Sequence, residues 1–144
     1  MRVYRDFPHT RPPQPEFPVL TVGVFDGVHR GHARVIEAAL AAAAGQPVAL
    51  LTFDPHPRAV LGPPKPHRLL TPIDERLRHL GAWPLAAVVV LRFDAAIASQ
   101  SYATFVQESL VGSLGARRLV LGYNLHLGSD RQGTPERIAA LGER

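Results

Sequence analysis

Two stretches of this chain, VALLTF at Val48–Phe53 and AAVVVLRF at Ala86–Phe93, are apolar almost without a break. A strand with no polar face has nothing to offer water, so it belongs inside a parallel sheet covered on both sides. The segments around these runs supply the other parts of such a sheet. Val19–Val24 and Arg118–Leu121 read as further strands. His32–Ala44 reads as an alanine-rich helix stopped by Gly45. Thr71 caps a helix with Pro72 at its first position and Asp74 in its first turn, and Ser101 caps a helix running to Leu114 and ended by Gly115. Thr134-Pro135 opens a last short helix, while Asp54–His67, with five prolines, is a loop. The N-terminal stretch ending in RPPQPEFP reads as an extended lead-in.

Strands alternating with helices predict an α/β domain, a Rossmann-like parallel sheet with helices on both faces. In such sheets ligands bind at the carboxyl ends of the strands, near the point where strand order reverses. Three unusual segments follow strands: GVFDGVHRGH at Gly23–His32, FDPHPR at Phe53–Arg58, and GYNLHLGSDRQG at Gly122–Gly133. One rim of the sheet is therefore expected to carry the site.

With 144 residues, 46% of them apolar, the chain reads as one domain with material for a core. It has no membrane-length apolar run and no signal-peptide core, so a cytoplasmic protein without membrane partners is expected. There are no cysteines, which excludes disulfides and thiol chemistry. Sixteen basic against twelve acidic residues give +4. The basic residues are scattered, with Arg117-Arg118 the only adjacent pair and no aromatic-interleaved basic stripe, which favours small anions over nucleic acid.

GVFDGVHRGH has the makings of a phosphate anchor. A helix start carries unpaired N–H groups and a partial positive charge. His29 and His32, three apart, share one face of a helical turn. Gly31 removes a Cβ where a phosphate approaches the backbone, Gly27 permits a tight turn, and Asp26 orders the loop or assists a metal. A metal site is another use of such a pair, although a closed zinc site needs four ligands. Two ordinary surface histidines are a third reading.

In FDPHPR, Pro55 and Pro57 stiffen the backbone around His56, and Arg58 is available to a phosphate or carboxylate. A rigid surface loop with a stacking or capping histidine has the same pattern. Asn124 either offers an amide oxygen to a hard cation or serves a left-handed turn. Trp83 reads as the seal of a layer edge. His9 and His79 have no evident partner, and Asp54 and Asp94 are placed to pair with basic neighbours.

GVFDGVHRGH resembles the HxGH motif of the nucleotidyltransferase superfamily, in the form carried by the adenylyltransferase module of bacterial FAD synthetases, the bifunctional riboflavin kinase/FMN adenylyltransferases. LTFDPHP at Leu51–Pro57 is similar to the family's TFxPHP segment, RLLTPIDERL at Arg68–Leu77 to its LLT helix start, and LGYNLHLG at Leu121–Gly128 to its G-(D/N)-F-x-F-G loop. The resemblance runs the length of the chain. It implies the nucleotidyltransferase fold and adenylyl transfer from ATP to FMN, giving FAD and pyrophosphate with Mg2+. It also assigns residues. Gly23, Val24, Phe25, Asp26, Gly27, His29, Gly31, His32, Gly122 and Asn124 would bind the nucleotide, with His29, His32 and Asn124 catalytic and Asn124 meeting the metal. Pro55, His56, Pro57 and Arg58 would line the flavin pocket.

The chain departs from the family pattern at Leu125-His126-Leu127, where Phe-x-Phe usually stands, so this loop lacks two stacking aromatics. The family's module continues to another strand and a Ser/Thr-rich segment ending in Ile-Arg, then to a riboflavin kinase barrel. Residues 1–144 thus read as an adenylyltransferase domain that is C-terminally incomplete and lacks the kinase, expected to bind ATP but turn over FMN poorly. An uncovered sheet edge would favour self-association. Two alternatives are a superfamily nucleotidyltransferase with another phosphorylated acceptor and a non-catalytic nucleotide- or flavin-binding fragment.

Overall fold

The six residues of the second apolar run's partner strand, Val48–Phe53, are all buried, and the sheet is built around them. The computed structural model describes residues 1–8, 17–25, 30–54, 72–122, 127–128 and 133–142. Among these are five strands, β1 (Arg2–Phe7), β2 (Val19–Val22), β3 (Val48–Phe53), β4 (Ala87–Leu91) and β5 (Arg118–Leu121). They form one sheet in the order β1-β4-β3-β2-β5, and every neighbouring pair is parallel. The order reverses at β2, from which the chain first steps outward through β3 and β4 and later returns to add β5 on the other side.

Alternation along the strands sends side chains into two apolar layers. One holds Leu20, Val22, Ala49, Leu51, Phe53, Val89 and Leu91. The other holds Val19, Val48, Leu50, Val88 and Val90. The first layer is closed by a helix that begins as an α-turn, α4 (Tyr102–Thr104), and continues as a π-helix, π1 (Phe105–Ser113), with Phe105, Val106 and Leu110 pointing inward. Ile138 of α5 (Pro135–Gly142) joins it. The second layer is closed by α1 (Arg30–Ala43), through Ile36, Ala39 and Ala43, and by α2 (Ile73–Leu80), through Leu77 and Leu80. Trp83 packs at the edge of this layer, as its position after a helix end suggested.

Several local expectations hold. Gly45, at φ +90°, stops α1. The Ser101 hydroxyl accepts from the Thr104 amide at 3.2 Å, and Thr134 accepts from Arg137 at 3.3 Å. Beyond Ser113 the chain turns at Gly115, and the Ala116 amide returns to the Leu110 carbonyl at 3.0 Å.

Others are corrected. α1 begins at Arg30 rather than His32, so Gly31 and His32 lie in its first turn. β2 ends at Val22 rather than Val24, because Phe25 takes a left-handed φ of +55° that turns the chain off the sheet. Pro72 occupies the cap position of α2 with an extended ψ of 160°, instead of the first helical position; Thr71 lies outside the described residues. Asp94 caps the short helix α3 (Ala95–Ala98), accepting from Ile97 at 3.0 Å. His79 lies 3.7 Å from Glu75 one turn away.

The N-terminal stretch is more than a lead-in. β1 is an edge strand on β4, with Arg2, Val3 and Tyr4 opposite Ala87, Val88 and Val89. Its register shifts between Tyr4 and Phe7, where Asp6 adopts φ +64°, a conformation Asp tolerates better than most residues. Its residues are mostly exposed, so no apolar period marks it in the sequence. Phe7 is the exception, with no exposure in the first layer. Arg5–Asp74 and Asp6–Arg92 ion pairs at 2.8 and 3.3 Å lie on the surface and add little.

Phe7→Ala is therefore expected to cost about 3–5 kcal/mol, the usual range for removing a buried aromatic. A urea titration checks this. A cost below about 0.5 kcal/mol, the size of an ordinary surface change, would show that β1 is not part of the core.

Candidate functional site

The carboxyl edge of the sheet is where the chemistry-bearing residues leave it. Val22 of β2 is in register with Leu51 of β3 on one side and Leu121 of β5 on the other. Gly23 and Gly122 consequently leave the sheet side by side, at the point where strand order reverses. The Gly23 amide still donates to the Leu51 carbonyl at 3.0 Å. β3 runs two residues further, and after Phe53 the Asp54 amide donates to the Leu91 carbonyl at 3.0 Å.

Phe25 decides how the first loop starts. Its left-handed backbone turns the ring inward, where it is buried in the second layer with residues of α1 and α2. A Cβ on Gly23 would lie 3.0 Å from that ring, so the small residue lets the chain fold back over it. The His32 imidazole rests against the same ring, with centroids 5.1 Å apart and planes at 58°. A tilted ring pair of this kind favours one imidazole orientation. Gly31 and His32 sit in the first turn of a fourteen-residue helix, where the backbone dipole favours an anion.

Gly23, Val24, Phe25, Gly31, His32 and Gly122, from the expected nucleotide set, are thus at one edge. Asp26, Gly27, His29 and Asn124, and the expected flavin residues Pro55, His56, Pro57 and Arg58, lie outside the described residues. Among the described residues no group of three or more His, Asp or Glu converges as a metal cage.

The third loop is closed by a bridge. Leu127 and Gly133 exchange backbone hydrogen bonds at 3.0 and 2.9 Å. The bridge is seated on the start of α4. A Cβ on Gly128, whose φ is +92°, would come within 2.5 Å of the Tyr102 nitrogen. Leu127 is buried in the first layer. A leucine at this position therefore serves the core.

Sequence reasoning missed Thr52 and Arg76. Arg76 has no exposure, and its Nη1 donates to Thr52 Oγ1 and to the Phe53 carbonyl, each at 3.0 Å. Thr52 Oγ1 in turn donates to the Val24 carbonyl at 2.6 Å. A signal was present: Arg76 stands three residues after Ile73 and four before Leu80, on the inward stripe of α2.

A family model described as FAD synthetase matches residues 11–144. The chain belongs to the FAD synthetase family. Among its relatives, the bifunctional riboflavin kinase/FMN adenylyltransferase of Bacillus subtilis (strain 168) is 34% identical over 81% of this chain and 37% of its own length. That of Escherichia coli (strain K12) is 32% identical over 80% of the chain and 37% of its own length. That of Pseudomonas fluorescens is 36% identical over 87% and 40%. The chain thus spans about two fifths of the length of these relatives. A crystal structure described as a macrolide-efflux protein from Streptococcus pneumoniae superposes with a TM-score of 0.83, covering 98% of this chain and 47% of that one at 24% identity. At that identity the likeness concerns the fold alone. No helix among the described residues is long and apolar enough to cross a membrane.

Gly45 and Gly128 both have positive φ, but a Cβ at Gly45 meets nothing within 4 Å. Gly45→Ala should cost about 1 kcal/mol, from backbone strain alone. Gly128→Ala should cost about 1–3 kcal/mol more, because the Tyr102 backbone must move. Equal denaturant midpoints for the two variants would contradict the seating of the bridge on α4.

Proposed function

We propose that this chain carries the adenylyl-transfer half of FAD synthesis: ATP and FMN are converted to FAD and pyrophosphate. The observation that carries the reading is the match of the FAD synthetase model to residues 11–144. The emergence of three loops from one carboxyl edge, two of them side by side at the strand-order reversal, supports it.

In this reading a phosphate oxygen of FMN attacks the α-phosphorus of ATP. The new P–O bond forms as the bond to the bridging oxygen breaks, and pyrophosphate leaves with the magnesium that entered with ATP. No covalent intermediate on the protein is needed. Transfer of this kind depends on positioning and charge stabilisation.

His32, oriented by Phe25 at the start of α1, faces the nucleotide phosphates together with His29, and both stabilise charge on the α-phosphate and the leaving group. Gly23, Val24, Phe25, Asp26, Gly27, Gly31 and Gly122 shape the nucleotide cradle. Asn124 holds a phosphate or its magnesium. Pro55, His56, Pro57 and Arg58 form the flavin side. The partners are therefore ATP and FMN.

Incubation with MgATP and FMN, following FAD and pyrophosphate together, tests this. The expected result is equal amounts of both. Pyrophosphate release with another phosphorylated acceptor but not with FMN would assign a different transferase, and ATP binding without pyrophosphate would leave a binding module.

His32→Ala and His29→Ala should each slow FAD formation about 100- to 1000-fold, the usual effect of removing one charge-stabilising donor. Each should also weaken ATP binding in calorimetry. Unchanged ATP affinity in both folded variants would overturn the phosphate assignment.

A further inference from the structure

The relay from Arg76 through Thr52 joins the two parts of the edge that the proposed reaction needs in register. Thr52 is the next-to-last residue of β3, and its hydroxyl is buried. It has a single proton, given to the Val24 carbonyl at 2.6 Å, while its oxygen accepts from Arg76 at 3.0 Å. The same Arg76 nitrogen donates to the Phe53 carbonyl at 3.0 Å. Val24 opens the loop toward His29 and His32, and Phe53 opens the loop toward Pro55–Arg58. One guanidinium nitrogen thus ties the first turns of both loops to α2.

Burying a guanidinium is costly, and the two hydrogen bonds from Nη1 offset part of that cost. Arg76 is the only charged side chain among the fully buried residues of the described structure. A Leu or Met at this inward position would cover the apolar layer at lower cost. Its Nη1 reaches the end of β3, at Thr52 and Phe53, and through Thr52 it reaches Val24 just past β2. Such a planar donor fixes two acceptors in one geometry, which a flexible ammonium does less well.

We propose that Arg76, acting through Thr52, is a positioning residue that holds the starts of two loops, at Val24 and at Phe53, in one register. It touches no reacting atom. The kinetic consequence rests on the adenylyl-transfer reading, but the coupling of the two loop starts does not.

Two variants test it. Thr52→Val keeps the shape of β3 and removes the relay, and Arg76→Lys keeps the charge while loosening the fork. Arg76→Met is added for comparison; if it does not fold, the first two suffice. The first readout is amide hydrogen exchange at Gly23 and Asp54, whose N–H groups are bonded to Leu51 and Leu91 just beside the relay. Both amides should lose protection together in Thr52→Val and in Arg76→Lys, while Leu50 and Val89 in mid-strand stay protected.

The second readout is kinetic. Each variant should lose about 10- to 100-fold in kcat, the order expected for ångström-scale misplacement, with KM for ATP and for FMN within about threefold of wild type. Arg76→Lys should retain more activity than Arg76→Met. The double variant Thr52→Val/Arg76→Lys should lose less than the product of the single losses.

Unchanged exchange at either Gly23 or Asp54 in Thr52→Val overturns the linkage, whatever the turnover. Loss of protection throughout the sheet assigns Arg76 to general stability and overturns it too. Coupled loss of protection with normal kcat overturns the kinetic role. Coupled loss in a protein whose wild type makes no FAD leaves the linkage standing and removes the adenylyl-transfer reading instead.

Discussion

The burial of β3 on both faces is the constraint on which the rest of this molecule depends. Its six residues are all buried, so neither side of the sheet can face water, and helices must cover both. Parallel pairing follows, since each helix crosses back before the next strand begins. All strand carboxyl ends then lie along one rim, and the chain leaves β2, β3 and β5 there, at Gly23, Asp54 and Gly122. The apolar interior thereby decides where polar chemistry is placed.

Within that frame the rim is tuned by a few local departures from regular geometry. Phe25 leaves the strand in a left-handed conformation and buries its ring, which supplies the surface against which His32 rests. Gly128 and the Leu127–Gly133 bridge allow the third loop to lie on the backbone of Tyr102. Arg76 brings a charged donor into an otherwise apolar layer, where two carbonyl or hydroxyl acceptors receive it. Residues held in uncommon conformations concentrate at functional edges because surrounding packing must determine them. At the opposite rim Arg118 of the adjacent basic pair donates to the Ala42 carbonyl at 2.9 Å near the end of α1, a helix-terminal contact.

Much of this was legible in the residues. Four of the five strands, the covering helices and the rim were readable because the apolar runs are continuous and the helix start and stop signals, Ser101 and Gly45 among them, are strong. β1 was not readable. As an edge strand it exposes most of its side chains, and its pairing with β4 is made by backbone groups common to every residue. The capping of α3 by Asp94 was not readable either, since a side chain's capping role depends on the backbone angle of the residue that carries it.

The site divides in the same way. The sequence by itself determined which residue types were available: two histidines flanking a glycine at a helix start, a histidine between two prolines, an asparagine in a glycine-bounded loop. It also determined that they follow strands, because the period of apolar residues is a local property. Only the tertiary structure decided that Gly23 and Gly122 leave the sheet together, that Phe25 lies beneath His32, and that Arg76 reaches Val24 through Thr52. Those facts depend on strand order and on contacts between residues 24 to 28 positions apart for the relay, which no local pattern encodes; they arise when burial of both sheet faces brings α2 against the ends of β2 and β3.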